Sequence, residues 1–218
     1  MTVYMFPSIT PSSNTFELVT NTRTFQSPLT NAVQTVARKG SLWKVSMQFN
    51  NLTGNDRAIM QAFLAKLNGQ EHRMYLYDHS ATKRGLAPSA PADTLLVNGA
   101  NQTGSVLVVD VSPASTITGY LKAGDYVAFN NELHMVTEDV NKAGSALSFA
   151  KPNSDGTTTT TNGMPLAPPI RKPTVDNQQI DYLQPIYGVF MLSSSASWDT
   201  KPGLVSSFTI DAVEDVLA

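Results

Sequence analysis

The chain has no cysteine, which excludes disulfides, thiolate-held zinc, iron–sulfur clusters and thiol nucleophiles. That absence suits assembly in a reducing cytosol. Charge is scarce too. Asp, Glu, Lys and Arg make up 15% of the 218 residues and sum to a net −2, against about 25% charged residues in an ordinary globular chain. A nucleic-acid binder is expected to carry a basic patch, and no stretch here supplies one. The low charge fits a surface partly covered by partners. No apolar run approaches the ~20 residues that span a bilayer. No basic-then-apolar leader precedes a small-residue cleavage site, so Met1 is read as the mature start. The sequons at Asn51 and Asn101 are then chance matches.

Chemistry-bearing motifs are equally sparse. Of the three histidines, His72 and His79 flank one expected strand seven residues apart, and an odd spacing puts them on opposite faces. His134 falls in another expected strand, and no His-x-x-x-His or equivalent ligand spacing occurs. Asp125, Glu132, Glu138 and Asp139 are the one acidic cluster. They could hold a divalent cation weakly or serve as a carboxylate pair, but they have no calcium-loop spacing and read better as a solvated face. Phosphate-cradling glycine loops and Gly-x-Ser-x-Gly are missing, and Ser193–Ser195 reads as a loop. The expectation is no catalytic residue, no metal and no cofactor.

What the chain does have is strand periodicity and punctuation. Trp43, Val45, Met47 and Phe49 alternate with Leu42, Lys44, Ser46 and Gln48, so one face goes to a core and Trp43 is expected to be buried. Ala32–Arg38 is expected to pair with that strand through the loop Lys39-Gly40-Ser41, and Phe16–Val19 reads as a further strand. One helix follows, with Thr53 as N-cap, Asp56 in its first turn and a stripe of Ile59, Met60, Phe63, Leu64 and Leu67. Asn68-Gly69 ends it, and Arg73–Tyr77 returns as a strand.

Loop sequence then fences off a second module. Ala87-Pro88-Ser89-Ala90-Pro91 precedes it, and Asn153-Ser154-Asp155-Gly156 with the threonines Thr157–Thr161 follows. Between these lie five expected strands, at 94–98, 105–111, 125–130, 133–139 and 146–150, with Asn130-Asn131 as a two-residue turn. Glycine punctuation suits a small closed or partly open barrel. The threonine run reads as a flexible linker or an arm ordered in an assembly. Gly188–Leu192 and Leu204–Ala212 are the last strands, with Leu204, Phe208, Ile210 and Ala212 on one face. They have no core of their own and should complete the sheet begun by the N-terminal half. The expected fold is therefore mainly β: a β-sandwich domain with one α-helix, made of 1–87 and 175–218, interrupted at 88–174 by a barrel-like module with its linkers.

Several short segments carry a resemblance. Gly40-Ser41-Leu42-Trp43-Lys44-Val45-Ser46-Met47, Leu52-Thr53-Gly54, Ala62-Phe63-Leu64-Ala65-Lys66-Leu67-Asn68-Gly69 and Met74-Tyr75-Leu76-Tyr77-Asp78 look like tail proteins of long-tailed bacteriophages. Leu121-Lys122-Ala123-Gly124-Asp125-Tyr126-Val127, Glu132-Leu133-His134-Met135-Val136 and Glu138-Asp139-Val140 are similar to a β module common in such proteins. Gly188–Leu192 through Phe208–Ala212 fits as well. The resemblance is to the distal tail protein, a virion structural component that adapts the tail tube to the tail tip or baseplate hub. It implies a homo-oligomer, a six-fold (hexameric) ring around a channel, contacting tail tube protein, tail hub and tape measure protein. DNA would pass through the channel without specific binding, no membrane would be engaged, and assembly would occur in the host cytoplasm. The insert is small for a full carbohydrate-binding receptor domain. A host-surface glycan-binding module is the alternative reading, and a tail-associated hydrolase using the acidic cluster is a third.

Overall fold

The computed structural model describes residues 1–38, 40–87, 93–183, 186–194 and 197–215. Its strands and single described helix run in the order β1 (Val3–Met5), β2 (Ser13–Val19), β3 (Thr22–Gln26), β4 (Val33–Ala37), β5 (Leu42–Leu52), α1 (Gly54–Leu67) and β6 (Arg73–Leu76). Next come β7 (Thr94–Val97), β8 (Gly104–Leu107), β9 (Val109–Leu121), β10 (Tyr126–Phe129), β11 (Glu132–Val136), β12 (Val140–Pro152), β13 (Thr158–Asn162) and β14 (Met164–Ile170). The chain closes with β15 (Gly188–Leu192), β16 (Ser197–Lys201) and β17 (Val205–Glu214). The protein is mainly β, with no described helix long and apolar enough to cross a membrane.

The first core lies on a seven-stranded sheet of order β1-β6-β15-β17-β5-β2, with β16 on β17. Alternation on β5 buries Trp43, Val45, Met47 and Phe49, as expected from the sequence. Register brings like faces together, pairing Phe208 with Phe49, Ile210 with Met47, Ala212 with Val45 and Phe16 with Val45. The C-terminal strands β15 and β17 lie between β6 and β5, so this sheet is built from both ends of the chain. Over its apolar face lies a second layer made of α1 and of the hairpin β10–β11. Thr53 is the N-cap, Asp56 and Lys66 complement the helix dipole at its two ends, and Asn68 takes the left-handed C-cap conformation. The buried stripe is Met60, Phe63, Leu64 and Leu67. Ile59 is exposed instead, because the core covers a narrower arc of the helix than five residues would fill.

The second core sits between two four-stranded sheets, β10-β11-β14-β8 and β13-β12-β9-β7. The chain passes from one sheet to the other at Val108, between β8 and β9, and at Gly163, between β13 and β14. Gly163 has φ +110°, and a Cβ there would stand 2.7 Å from the Leu107 carbonyl oxygen, so only glycine makes that corner. Along one side, residues 177–181 stitch the sheets together. Asn177 N–H and Ile180 N–H donate to Val97 and Leu95 of β7, while Asp181 and Ala128 of β10 exchange both backbone hydrogen bonds at 2.8 Å. Among the described residues no ladder joins the two sheets on the other side.

Several expectations are corrected. Strand 33–37 pairs with β3, not β5. Val33 and Val36 are three apart and so face opposite ways, whereas Phe16 and Leu18 of β2 offer the continuous apolar face that β5 accepts. The stretch read as one strand over 105–111 is two, and β9 and β12 run for 13 residues each. The threonine run is mostly strand β13, paired with Ser148–Pro152 of β12. Pro-rich Met164–Ile170 is a strand as well, tolerated because a register shift interrupts its ladder to β8. Leu204 lies in the turn before β17 and is exposed, and Trp198 is on β16, also exposed. Lys39, Pro88–Pro91 and Ser195 lie outside the described residues.

Candidate functional site

The hairpin β10–β11 is where the two cores meet. Its turn, Asn130-Asn131, has φ +56° and +63°, the pair of positive values a tight two-residue hairpin demands. Nearly every residue of both strands is buried, because each face serves a different core. Tyr126, Ala128 and Leu133 pack into the first core, and Val127, Phe129 and Val136 into the second. Gly188 lets β11 approach β15, since a Cβ there would lie 2.9 Å from Leu133 Cβ.

Polar groups fasten the same joint. Glu214 of β17 is buried, and its Oε1 accepts from Leu133 N–H at 2.9 Å while Oε2 accepts from Trp43 N–H at 3.2 Å. Trp43 Nε1 donates back to the Leu133 carbonyl at 2.8 Å. Arg171, following β14, donates from Nη1 to Glu214 Oε2 at 2.9 Å and to the Ser41 carbonyl at 2.7 Å. Its Nε lies 3.4 Å from Glu132 Oε1. His134 Nδ1 donates to the Pro168 carbonyl at 2.8 Å, which leaves Nε2 facing Glu132 Oε2 at 3.3 Å, in ion-pair range but without hydrogen-bond geometry. Burial pushes the Glu132 carboxyl up, but His134 and Arg171 together outweigh it and hold the group below its ordinary range. Asp78 adds a further tie, accepting from Asn14 Nδ2 at 2.8 Å and from the Tyr126 hydroxyl at 3.2 Å. Burial, then Asp78, raises the Tyr126 phenol and keeps it a donor.

The acidic cluster does not assemble. Asp125 is spent on backbone, accepting from Arg84, Gly85 and Lys122 N–H at 2.7–2.8 Å. Asp139 pairs with Lys122 at 2.6 Å on the surface, Glu132 faces His134 and Arg171, and Glu138 is half-buried apart from them. His72 packs edge-on against Tyr4, and His79 lies against Tyr77 with ring centres 4.2 Å apart. Ser193 and Ser194 sit in a bend beyond β15. Among the described residues no three of His, Asp and Glu converge as metal ligands.

Two features escaped sequence reading. One is a groove of about 590 Å³ beside the hairpin, between its Asn130-Asn131 turn, residues 178–183, the edge strand β1 and its neighbour β6. Its residues come from widely separated stretches of chain, around positions 5, 75, 93, 128–131 and 178–187, so no local pattern marks it. The other is the hairpin β3–β4, which forms a sheet of its own. None of its described side chains belongs to either core. It nonetheless displays Phe25, Leu29, Val33 and Val36, with Leu29 94% exposed. No protein-family model matches the chain, and no curated protein matches it.

Proposed function

We propose that this protein is a ring-forming structural subunit of a bacteriophage tail, a distal tail protein joining the tail tube to the tail tip or baseplate hub. The observation that carries the reading is the hairpin arm β3–β4. An isolated two-stranded hairpin is marginal in water, and this one holds four large apolar side chains away from both cores of its own chain. An element of that kind gains its stability by packing on a neighbour. Residues 20–38 carry Arg23 and Arg38 and no acidic residue. The chain sums to −2, so everything outside the arm sums to −4, and the remainder of a second copy carries net charge opposite to the arm's. A contact from the arm of one subunit to the body of the next is heterologous, and such contacts close into rings when the rotation permits. The exposed strand β16, paired on one side only, provides a further open edge.

The test is mass by light scattering together with negative-stain electron microscopy of the full chain and of a variant with residues 22–37 replaced by a short Gly-Ser linker. The expected result is closed rings with a central hole for the full chain and monomers for the variant. A full chain that stays monomeric with and without tail tube protein, or a variant that still forms rings, would overturn this role for the arm.

A further inference from the structure

Lys142, on β12, is fully buried, yet no contact of the joint uses it. Its Nζ lies 2.5 Å from Oδ2 of Asp93, the residue just before β7, and that carboxylate is 7% exposed. Strand β9 stands between β7 and β12, and from it Tyr120, also fully buried, donates its hydroxyl to the same oxygen at 3.0 Å. We infer that these three residues are a self-modification site, at which Lys142 and Asp93 condense to an intramolecular isopeptide bond. The inference goes beyond the tail role and does not depend on it.

Amide formation needs an uncharged amine, a protonated acid, close approach and a way out for water. A proton passing along the contact from Nζ to Oδ2 supplies the first two, and burial favours that exchange because a dry interior penalises a charged pair. The carboxyl carbon is one bond from Oδ2, which sets Nζ near the ~3–3.5 Å separation of a near-attack pair. Packing holds both partners in place. Tyr182 donates its hydroxyl to the Asp93 main-chain carbonyl at 2.8 Å, and Lys142 Nζ lies 5.4 Å from the Tyr120 ring centre. Burial first, then Asp93, pushes the Tyr120 phenol up, so it stays protonated and relays a proton without losing one. Asp93 lines the groove beside the hairpin, through which the released water can leave.

The step balances without a further reactant. The Nζ lone pair forms a bond to Asp93 Cγ. Tyr120 passes its hydroxyl proton to Oδ2 and takes one back from the nitrogen. The Cγ–Oδ2 bond breaks, Oδ2 departs as water, and Oδ1 remains as the amide oxygen. An ion pair serves this pocket less well. Among the described residues Asp93 Oδ2 is the only hydrogen-bond acceptor for Nζ, so an ammonium keeps donors unpaired. An amide keeps a single N–H, for which the Tyr120 hydroxyl oxygen is at hand. The bond ties the chain's entry into the insert to an inner strand of its sheet, and it needs no oxidising compartment, unlike the disulfides this cysteine-free chain cannot make.

The experiment is the intact mass of the full chain under denaturing conditions, with tandem mass spectrometry of its proteolytic peptides. The expected mass is one water below that of the sequence, with the loss located in two peptides joined through Asp93 and Lys142. Asp93→Ala and Lys142→Arg are expected at their full sequence masses, a readout that holds whether or not they fold. Tyr120→Phe, sampled over time after cell-free synthesis, is expected to gain the bond at least tenfold more slowly. A wild-type chain at full sequence mass, a water loss that maps elsewhere, or a loss that persists in Asp93→Ala would overturn the assignment. An unslowed Tyr120→Phe would overturn the proton relay. Ring formation is read by a different measurement, so failure of either leaves the other standing.

Discussion

Removing the Glu214 carboxylate should loosen the joint between the two cores. In wild type it satisfies the backbone N–H groups of Leu133 and Trp43 and neutralises Arg171, all inside the protein. In Glu214→Ala the two N–H groups lose their acceptor, at roughly 1–3 kcal/mol each. The Arg171 guanidinium keeps only Glu132 as a counter-charge, and breaking a buried ion pair costs roughly 3–5 kcal/mol. These costs share one side chain and are not additive. Water entering the vacated space also offsets part of them. A net loss of about 3–5 kcal/mol is therefore expected, against the roughly 5–15 kcal/mol that holds a typical domain folded. With a urea slope of about 1–3 kcal/mol per molar, the midpoint should fall by more than about 1 M. Trp43 is the natural probe, because its indole donates across this joint to Leu133, whereas the second tryptophan, Trp198, is exposed. The measurement is urea unfolding in a Trp198→Phe background, read by Trp43 emission. Glu214→Gln keeps an acceptor and should lose about half as much. Arg171→Ala combined with Glu214→Ala should cost less than the sum of the singles, because each single leaves the other's charge stranded. A loss under about 1 kcal/mol in Glu214→Ala, or strict additivity in the double variant, would refute the reasoning.

Two further outcomes follow from the same joint. Glu132 titrates below its ordinary value of 4.5 in the folded protein. Its contribution to stability is therefore fully present above pH ~4.5 and is lost as pH falls through the depressed folded value. Wild type should lose stability on acidification below 4.5 more steeply than Glu132→Gln, as followed by thermal unfolding across that range, and equal slopes would contradict the assignment. At Gly188 an added methyl would press on Leu133 Cβ at 2.9 Å and Phe190 at 2.8 Å, so Gly188→Ala should cost about 1–3 kcal/mol. Leu133→Gly, which removes that Cβ, should relieve part of the Gly188→Ala cost in the double variant; a double-variant loss equal to the sum would mean that β11 is not pressed against β15.

Local periodicity carried what was legible in the sequence. The alternation from Trp43 to Phe49 declares a one-sided strand, and the stripe from Met60 to Leu67 declares a helix, because both signals are complete within a dozen residues. Choosing a strand's partner is different. The adjacent segment 33–37 is the cheaper loop to close onto β5, yet β2 wins on its apolar face, and that comparison is not local. Strand β14 was hidden by its prolines and β13 by its threonines. β14 is ordered by ladders to β8 and β11, distant in sequence, and β13 by its hairpin ladder to β12, neither by any periodicity of its own.

The joint itself left a trace that can be read in retrospect. Tyr126-Val127-Ala128-Phe129 and Leu133-His134-Met135-Val136 do not alternate, and an unbroken apolar strand is one that is buried on both faces. A strand belonging only to a projecting module would have shown a polar face, so the run argues for docking against a second core. Charged residues inside such runs carry the complementary message. Glu132 and His134 on β11, and Glu214 closing β17, are acceptable there only with partners, and burial of a charge without one is prohibitive. Their presence foretells a network. Its membership, with Arg171 reaching from beyond β14 to Ser41 and Glu214, follows only once the sheets are assembled. The consequence is mechanical. Force acting on the inserted sheets reaches the seven-stranded sheet through β10–β11 and through Arg171, with Ser41, Trp43, Glu214 and Gly188 on the receiving side. The groove lies along that hairpin and borders both units, so an occupant would press on the element that holds them together.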